Sequence, residues 1–140
     1  MEQKDYLLRE IEKIGRMIAA IWQKVFGEKE PFATAIDQQI EETKEMLSNG
    51  ANFDLDKFMT LKVEETNEYL NSFEGFNAEN IESLARLIAQ IGLSEKSQKA
   101  KKYLEKALQL YELCNLKDKT YSLERNARIN NIKQIILKKK

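Results

Sequence analysis

Apolar residues recur three and four apart along almost the whole of this chain, and a single proline interrupts them. That period marks an α-helix with one face turned to a core, whereas a strand needs strict alternation. At the N-terminus Leu7, Ile11, Ile14, Ile18, Ile21 and Val25 form a heptad seam. Leu8, Trp22 and Phe26 widen the seam to one side. A first helix should end near Gly27, a natural stop. Pro31 then suits the first turn of a second helix, because its missing N–H is not needed there. Phe32, Ile36, Ile40, Thr43 and Leu47 give that helix its inner face, and Gly50 closes it.

The same reading continues to the C-terminus. Asp54 is positioned to cap a third helix, striped by Leu55, Phe58, Met59, Val63, Thr66, Leu70 and Phe73. Gly75 breaks that stripe. Asn77 caps a fourth helix with Ile81, Leu84, Ala85, Ile88 and Ile91, ending at Gly92. Ser94 or Ser97 caps a fifth, carrying Ala100, Leu104, Ala107, Leu108 and Tyr111. Asp118 caps a sixth, with Tyr121, Arg125, Ile129, Ile132 and Ile136. Connections of roughly 4 to 9 residues make consecutive helices antiparallel neighbours. The expected fold is therefore all-α, about six helices in three antiparallel hairpins. A single helical domain is expected over residues 1–140, with N-terminal helices in 1–76 and the remainder in 77–140.

Net charge is zero, but it is unevenly placed. Residues 1–70 hold 9 Lys and Arg against 15 Asp and Glu, and residues 71–140 hold 14 against 8. The two halves are thus −6 and +6. Such asymmetry fits halves that attract each other, or an acidic and a basic face that meet partners, head-to-tail between chains included.

The chemistry-bearing residues are few. There is no histidine, which removes the commonest general base and the commonest zinc ligand. The lone Cys114 closes an apolar stripe and reads as a buried thiol. Carboxylates pair at helical spacing, Glu41 with Glu45 and Glu64 with Glu68, but no Glu-x-x-His can form a di-metal site. No Gly-rich phosphate loop or serine elbow occurs. No metal, cofactor or catalytic residue is expected. Glu2 and Asp5 spoil the positive start of a signal peptide. The longest run of nonpolar side chains in that region, Met17–Trp22, is too short to span a membrane. A cytoplasmic protein is the resulting expectation.

In Ile81–Cys114, small and large residues alternate in a helical-hairpin code. Leu84-Ala85 resembles the Leu-Gly pair of a tetratricopeptide repeat, with Ile81 and Ile88 where that family has aromatic residues. Gly92 matches the glycine that ends its first helix, and Ala100, Leu104 and Ala107 match the second. The turn after Gly92 is longer than the family's, and its proline near Glu112 is missing. The resemblance implies a protein-binding surface on the first helix of the hairpin, with Glu79, Glu82, Arg86 and Gln90 exposed. These do not resemble the Lys/Asn clamp that binds C-terminal carboxylates. At the N-terminus, Asp5-Tyr6-Leu7-Leu8-Arg9-Glu10-Ile11-Glu12 is similar to the opening of a family of small bacterial proteins of unassigned activity. It implies a bacterial cytosolic protein and adds no mechanism.

The function expected is a non-catalytic protein-interaction or assembly module. Self-association as a homodimer through the N-terminal helix follows from its wide seam. The alternative is a nucleic-acid-associated protein. It would use basic C-terminal helices carrying Lys99, Lys101, Lys102, Lys106, Arg125, Arg128 and Lys133.

Overall fold

The computed structural model describes residues 2–27, 36–119 and 122–138. Among these it is all-helical, with seven α-helices and no strand. In order they are α1 (Glu2–Ile21), α2 (Ile36–Ala51), α3 (Leu55–Thr60), α4 (Val63–Asn71), α5 (Ala78–Ser94), α6 (Lys99–Lys117) and α7 (Leu123–Lys138). A π-helical turn, Trp22–Phe26, extends α1 and stops at Gly27. Pro31, Phe32 and Tyr121, placed above in helical stripes, lie outside the described residues. The chain forms two compact units, 1–80 and 81–140. The division falls in the first turn of α5.

In the first unit α1 and α2 run antiparallel. Gln39, early in α2, donates its amide to the Val25 carbonyl beyond the end of α1 at 3.2 Å. Gly50, at the other end of α2, lies against Met17, where an added Cβ would sit 2.7 Å from the sulfur. Gly50 was expected to terminate this helix. It serves close approach instead, and the chain turns at Asn52, whose φ is 56°. Asparagine is among the few residues that adopt this left-handed conformation at low cost. From the seam, Ile14, Ile18, Ile21 and Val25 are buried, Ile11 is half-buried and Leu7 is exposed.

A single helix was expected from Asp54 to Phe73, and the structure breaks it at Leu61 and Lys62, both extended. Local side chains stabilise the break. Asp54 caps α3 by accepting from Lys57 N–H, and the Thr60 hydroxyl donates back to the Lys57 carbonyl. Glu65 accepts from Lys62 N–H, and Thr66 donates to the Lys62 carbonyl. The Asp54 cap starts α3, and Glu65 satisfies the Lys62 N–H that the break takes out of the helical ladder. The break shifts the phase of the stripe, so Val63 is exposed instead of buried. It also folds the chain around Phe53, whose ring meets those of Phe58, Tyr69, Phe73 and Phe76.

Asn80 closes the first unit. It is buried, and its amide donates to the Ile11 carbonyl at 2.8 Å and the Gly75 carbonyl at 2.7 Å. Its own N–H is capped by Asn77 Oδ1, the cap expected from the sequence. A buried amide with its donors satisfied holds two backbone segments in one register. Gly75 must be a glycine for that approach, because a Cβ there would lie 2.4 Å from the Glu10 carbonyl oxygen.

In the second unit α5, α6 and α7 alternate in direction. Gly92, late in α5, meets Leu104, early in α6, while Glu82, early in α5, meets Arg125 beside the end of α6. Gly92 does not end α5, which continues to Ser94. It is buried, and a Cβ there would lie 2.8 Å from Leu104 Cγ. Ser97 Oγ accepts from Lys99 N–H at the start of α6. Asp118 was expected to cap the last helix; it instead follows α6, and Ser122 Oγ caps α7 by accepting from Arg125 N–H.

Ala85, Ala100 and Ala107 are buried, as are Leu84, Ile88 and Leu104. Ala107 is fully buried, so Ala107→Leu should cost about 1–3 kcal/mol through overpacking. A melting temperature equal to the parent's would show that the site has room and that the packing code is misassigned.

Candidate functional site

Helix α5 carries the row proposed to bind a partner. Glu79 and Arg86 are exposed, whereas Glu82 and Gln90 are half-buried. Gln90 donates its amide to Ser94 Oγ within the helix. Glu82 faces inward and accepts from Arg125 Nε at 3.0 Å and a terminal nitrogen at 2.7 Å. The expected continuous exposed row is therefore interrupted at Glu82.

Arg125, expected on a basic surface, is instead buried at 4% exposure. Besides Glu82 it donates to Asn115 Oδ1 at 3.1 Å and Asp118 Oδ2 at 3.2 Å. Its fork geometry lets one side chain bind three acceptors on two helices and a loop. A guanidinium so enclosed cannot reach a nucleic-acid groove. Arg128 is half-buried and ion-paired with Glu124. Its charge lies near Tyr111, whose hydroxyl is pushed up by burial and pulled back by the charges of Arg128 and Arg86. The signal for Arg125 was present in the sequence, since it occupies an apolar stripe four residues before Ile129.

The basic residues of α6 divide the same way. Lys106 is buried, donates to Gln109 Oε1 at 3.3 Å, and burial lowers its ammonium's affinity for the proton. Lys96, Lys99 and Lys102 are exposed and Lys101 is half-buried. Lys96, Ser97, Gln98, Lys101, Lys102 and Glu105 line an open groove of ≈ 530 Å³.

The third surface is the start of α1. Tyr6, Leu7 and Leu8 are 50%, 44% and 50% exposed, three consecutive large side chains at the outer end of the seam. The Tyr6 hydroxyl is pushed up chiefly by the charges of Glu10 and Glu74. Sequence periodicity located the seam but could not show where its covering neighbour ends.

For chemistry the arrangement offers little. Burial pushes the Cys114 thiol up to about 12, so at neutral pH it is a packing group and not a nucleophile. Among the described residues no group of three or more Asp, Glu or Cys side chains is placed to hold a metal ion. None of their helices is long and apolar enough to cross a membrane. Comparison with protein-family models, with curated proteins and with solved structures gives no match.

Proposed function

We propose that this chain is a non-catalytic protein-interaction or assembly module that self-associates through the start of α1. One observation carries the reading: a seam that is buried from Ile14 to Val25 continues outward to Leu7, with Tyr6 and Leu8 exposed beside it. A turn of exposed apolar side chains at a helix end, continuous with a buried seam, favours pairing with a second helix of the same kind. Two copies related by a two-fold axis would each cover the other's patch, giving a closed dimer. The repeat-like hairpin of α5 and α6 fits a binding role, with Glu79 and Arg86 exposed on its first helix; a cytoplasmic setting is part of the same proposal. Nucleic acid is the alternative partner, favoured by the exposed Lys96, Lys99, Lys102 and Lys133.

The dimer should dissociate in the double variant Leu7→Glu, Leu8→Glu. Both positions are exposed, so the variant's monomer should keep its fold to within about 0.5 kcal/mol. Multi-angle light scattering at high micromolar concentration gives the mass. A parent that stays monomeric there rules out association through α1.

A further inference from the structure

Division of the chain into units sharpens its charge segregation. Residues 1–80 carry 9 Lys and Arg against 17 Asp and Glu, a net of −8, and residues 81–140 carry 14 against 6, a net of +8. Four of the six acids in the second unit are already committed. Glu82 and Asp118 hold Arg125, and Glu124 holds Arg128. Glu95 is buried and accepts from the N–H groups of Lys96 and Ser97. The lysines around the α6 groove are left in excess. None of Lys96, Lys99, Lys101 and Lys102 forms an ion pair among the described residues.

The first unit holds the complement. A groove of ≈ 400 Å³ beside α3 is lined by Glu45, Asp54 and Asp56, with Phe53 and Leu55 in its wall. Its one cation, Lys44, is held by Asp56 at 3.0 Å and Glu41 at 3.2 Å. The acidic groove is therefore net negative by two charges, and the lysine groove, with Glu105 as its one acid, is net positive by two. The two are of similar size and opposite sign, one on each unit.

We propose that copies of this chain associate head-to-tail, the lysine groove of one molecule seating the acidic groove of the next. Lysine and carboxylate surfaces of this kind steer encounter and set orientation more than they hold tightly, so the contact is weak and salt-dependent. Because the two surfaces differ, the contact is heterologous, and it propagates beyond a dimer unless the rotation closes a ring. The proposal rests on the assembly reading above but uses other residues. Pairing through α1 stops at two copies and does not weaken with salt, so either contact can fail without the other.

Two charge-reversed proteins test it, Lys101→Glu with Lys102→Glu, and Glu45→Lys with Asp56→Lys. Both should be made in the Leu7→Glu, Leu8→Glu background to remove the α1 contact. All four positions lie at the surface or half-buried, and circular dichroism checks that each variant folds. Sedimentation velocity is read across concentration in about 0.05 M and about 0.5 M salt, a change that shortens the screening length from roughly 14 Å to 4 Å. The background protein should form species larger than a dimer at low salt, and the association constant should fall at least about tenfold at high salt. Each charge-reversed protein alone should stay monomeric, and an equimolar mixture of the two should regain the large species. Mass independent of salt, or a mixture that stays monomeric, overturns the proposal. Salt-dependent compaction without a change in mass overturns it too, since opposite charges would then meet within one molecule. Binding of a labelled oligonucleotide to a protein that shows no self-association assigns the lysine groove to nucleic acid instead.

Discussion

Phe53→Ala should destabilise the first unit by about 3–5 kcal/mol, the range for truncating a buried aromatic ring. Phe53 has no exposed surface and lies 4.9 Å from the Phe58 ring, 5.3 Å from Tyr69, 5.5 Å from Phe73 and 5.8 Å from Phe76. Each is a tilted or edge-on contact at a separation where ring quadrupoles attract. Those four rings come from α3, α4 and the turn after α4, so none can shift into the vacancy without moving its own segment. Tyr69 is further fixed because its hydroxyl accepts the Asp54 N–H at 2.9 Å. Urea denaturation followed by circular dichroism gives the loss, and Phe53→Leu should recover more than half of it. A cost below about 1 kcal/mol would mean the aromatic cluster is not the core of this unit.

The next largest effect is expected at Arg125. Arg125→Ala removes a buried guanidinium and leaves the half-buried Glu82 without its principal partner. A loss of about 2–4 kcal/mol follows, because an unpaired carboxylate away from bulk water is the costly outcome. Arg125→Lys restores the charge but not the fork, so it should recover only part of the loss. The double variant Arg125→Met, Glu82→Leu tests the cause. If the penalty comes from the stranded charge, the double variant is more stable than Arg125→Ala in the same urea titration. Equal stability of Arg125→Ala and the parent would show that the buried pair contributes nothing.

The helical class and the starts of α3 and α5 were legible because apolar period and capping residues are local properties. Asp54 and Asn77 cap where their side chains predicted, and Ile14 to Val25 are buried as the seam required. The break between α3 and α4 was not legible. Leu55 to Phe73 keep helical spacing across it, and the one local sign of a new start is the bond from Lys62 N–H to Glu65 three residues on. Glycines were misread for a related reason. Gly50 and Gly92 look like helix stops in sequence, but each sits where another segment comes too close for a Cβ. That depends on the partner segment, which local pattern does not contain. The candidate sites followed the same rule. Arg125, a charge at a stripe position, is interior, and Glu79 and Lys102, off the stripe, are exposed; Lys106, also off the stripe, is buried, which the periodicity did not indicate.

The burial of Cys114 has a practical consequence when set beside the rest of the composition. The chain has one tryptophan and one cysteine, and they fall in different units, Trp22 in the first and Cys114 in the second. With the thiol held near 12, the thiolate fraction in the native protein at pH 8 is about one in ten thousand. A thiol reagent therefore modifies the second unit essentially only when that unit opens, and the labelling rate reports how often it does. Indole fluorescence reports the first unit independently. The natural sequence thus carries two spectroscopically separate clocks, one for each half. Whether the halves melt together or apart can be timed without adding a single foreign label.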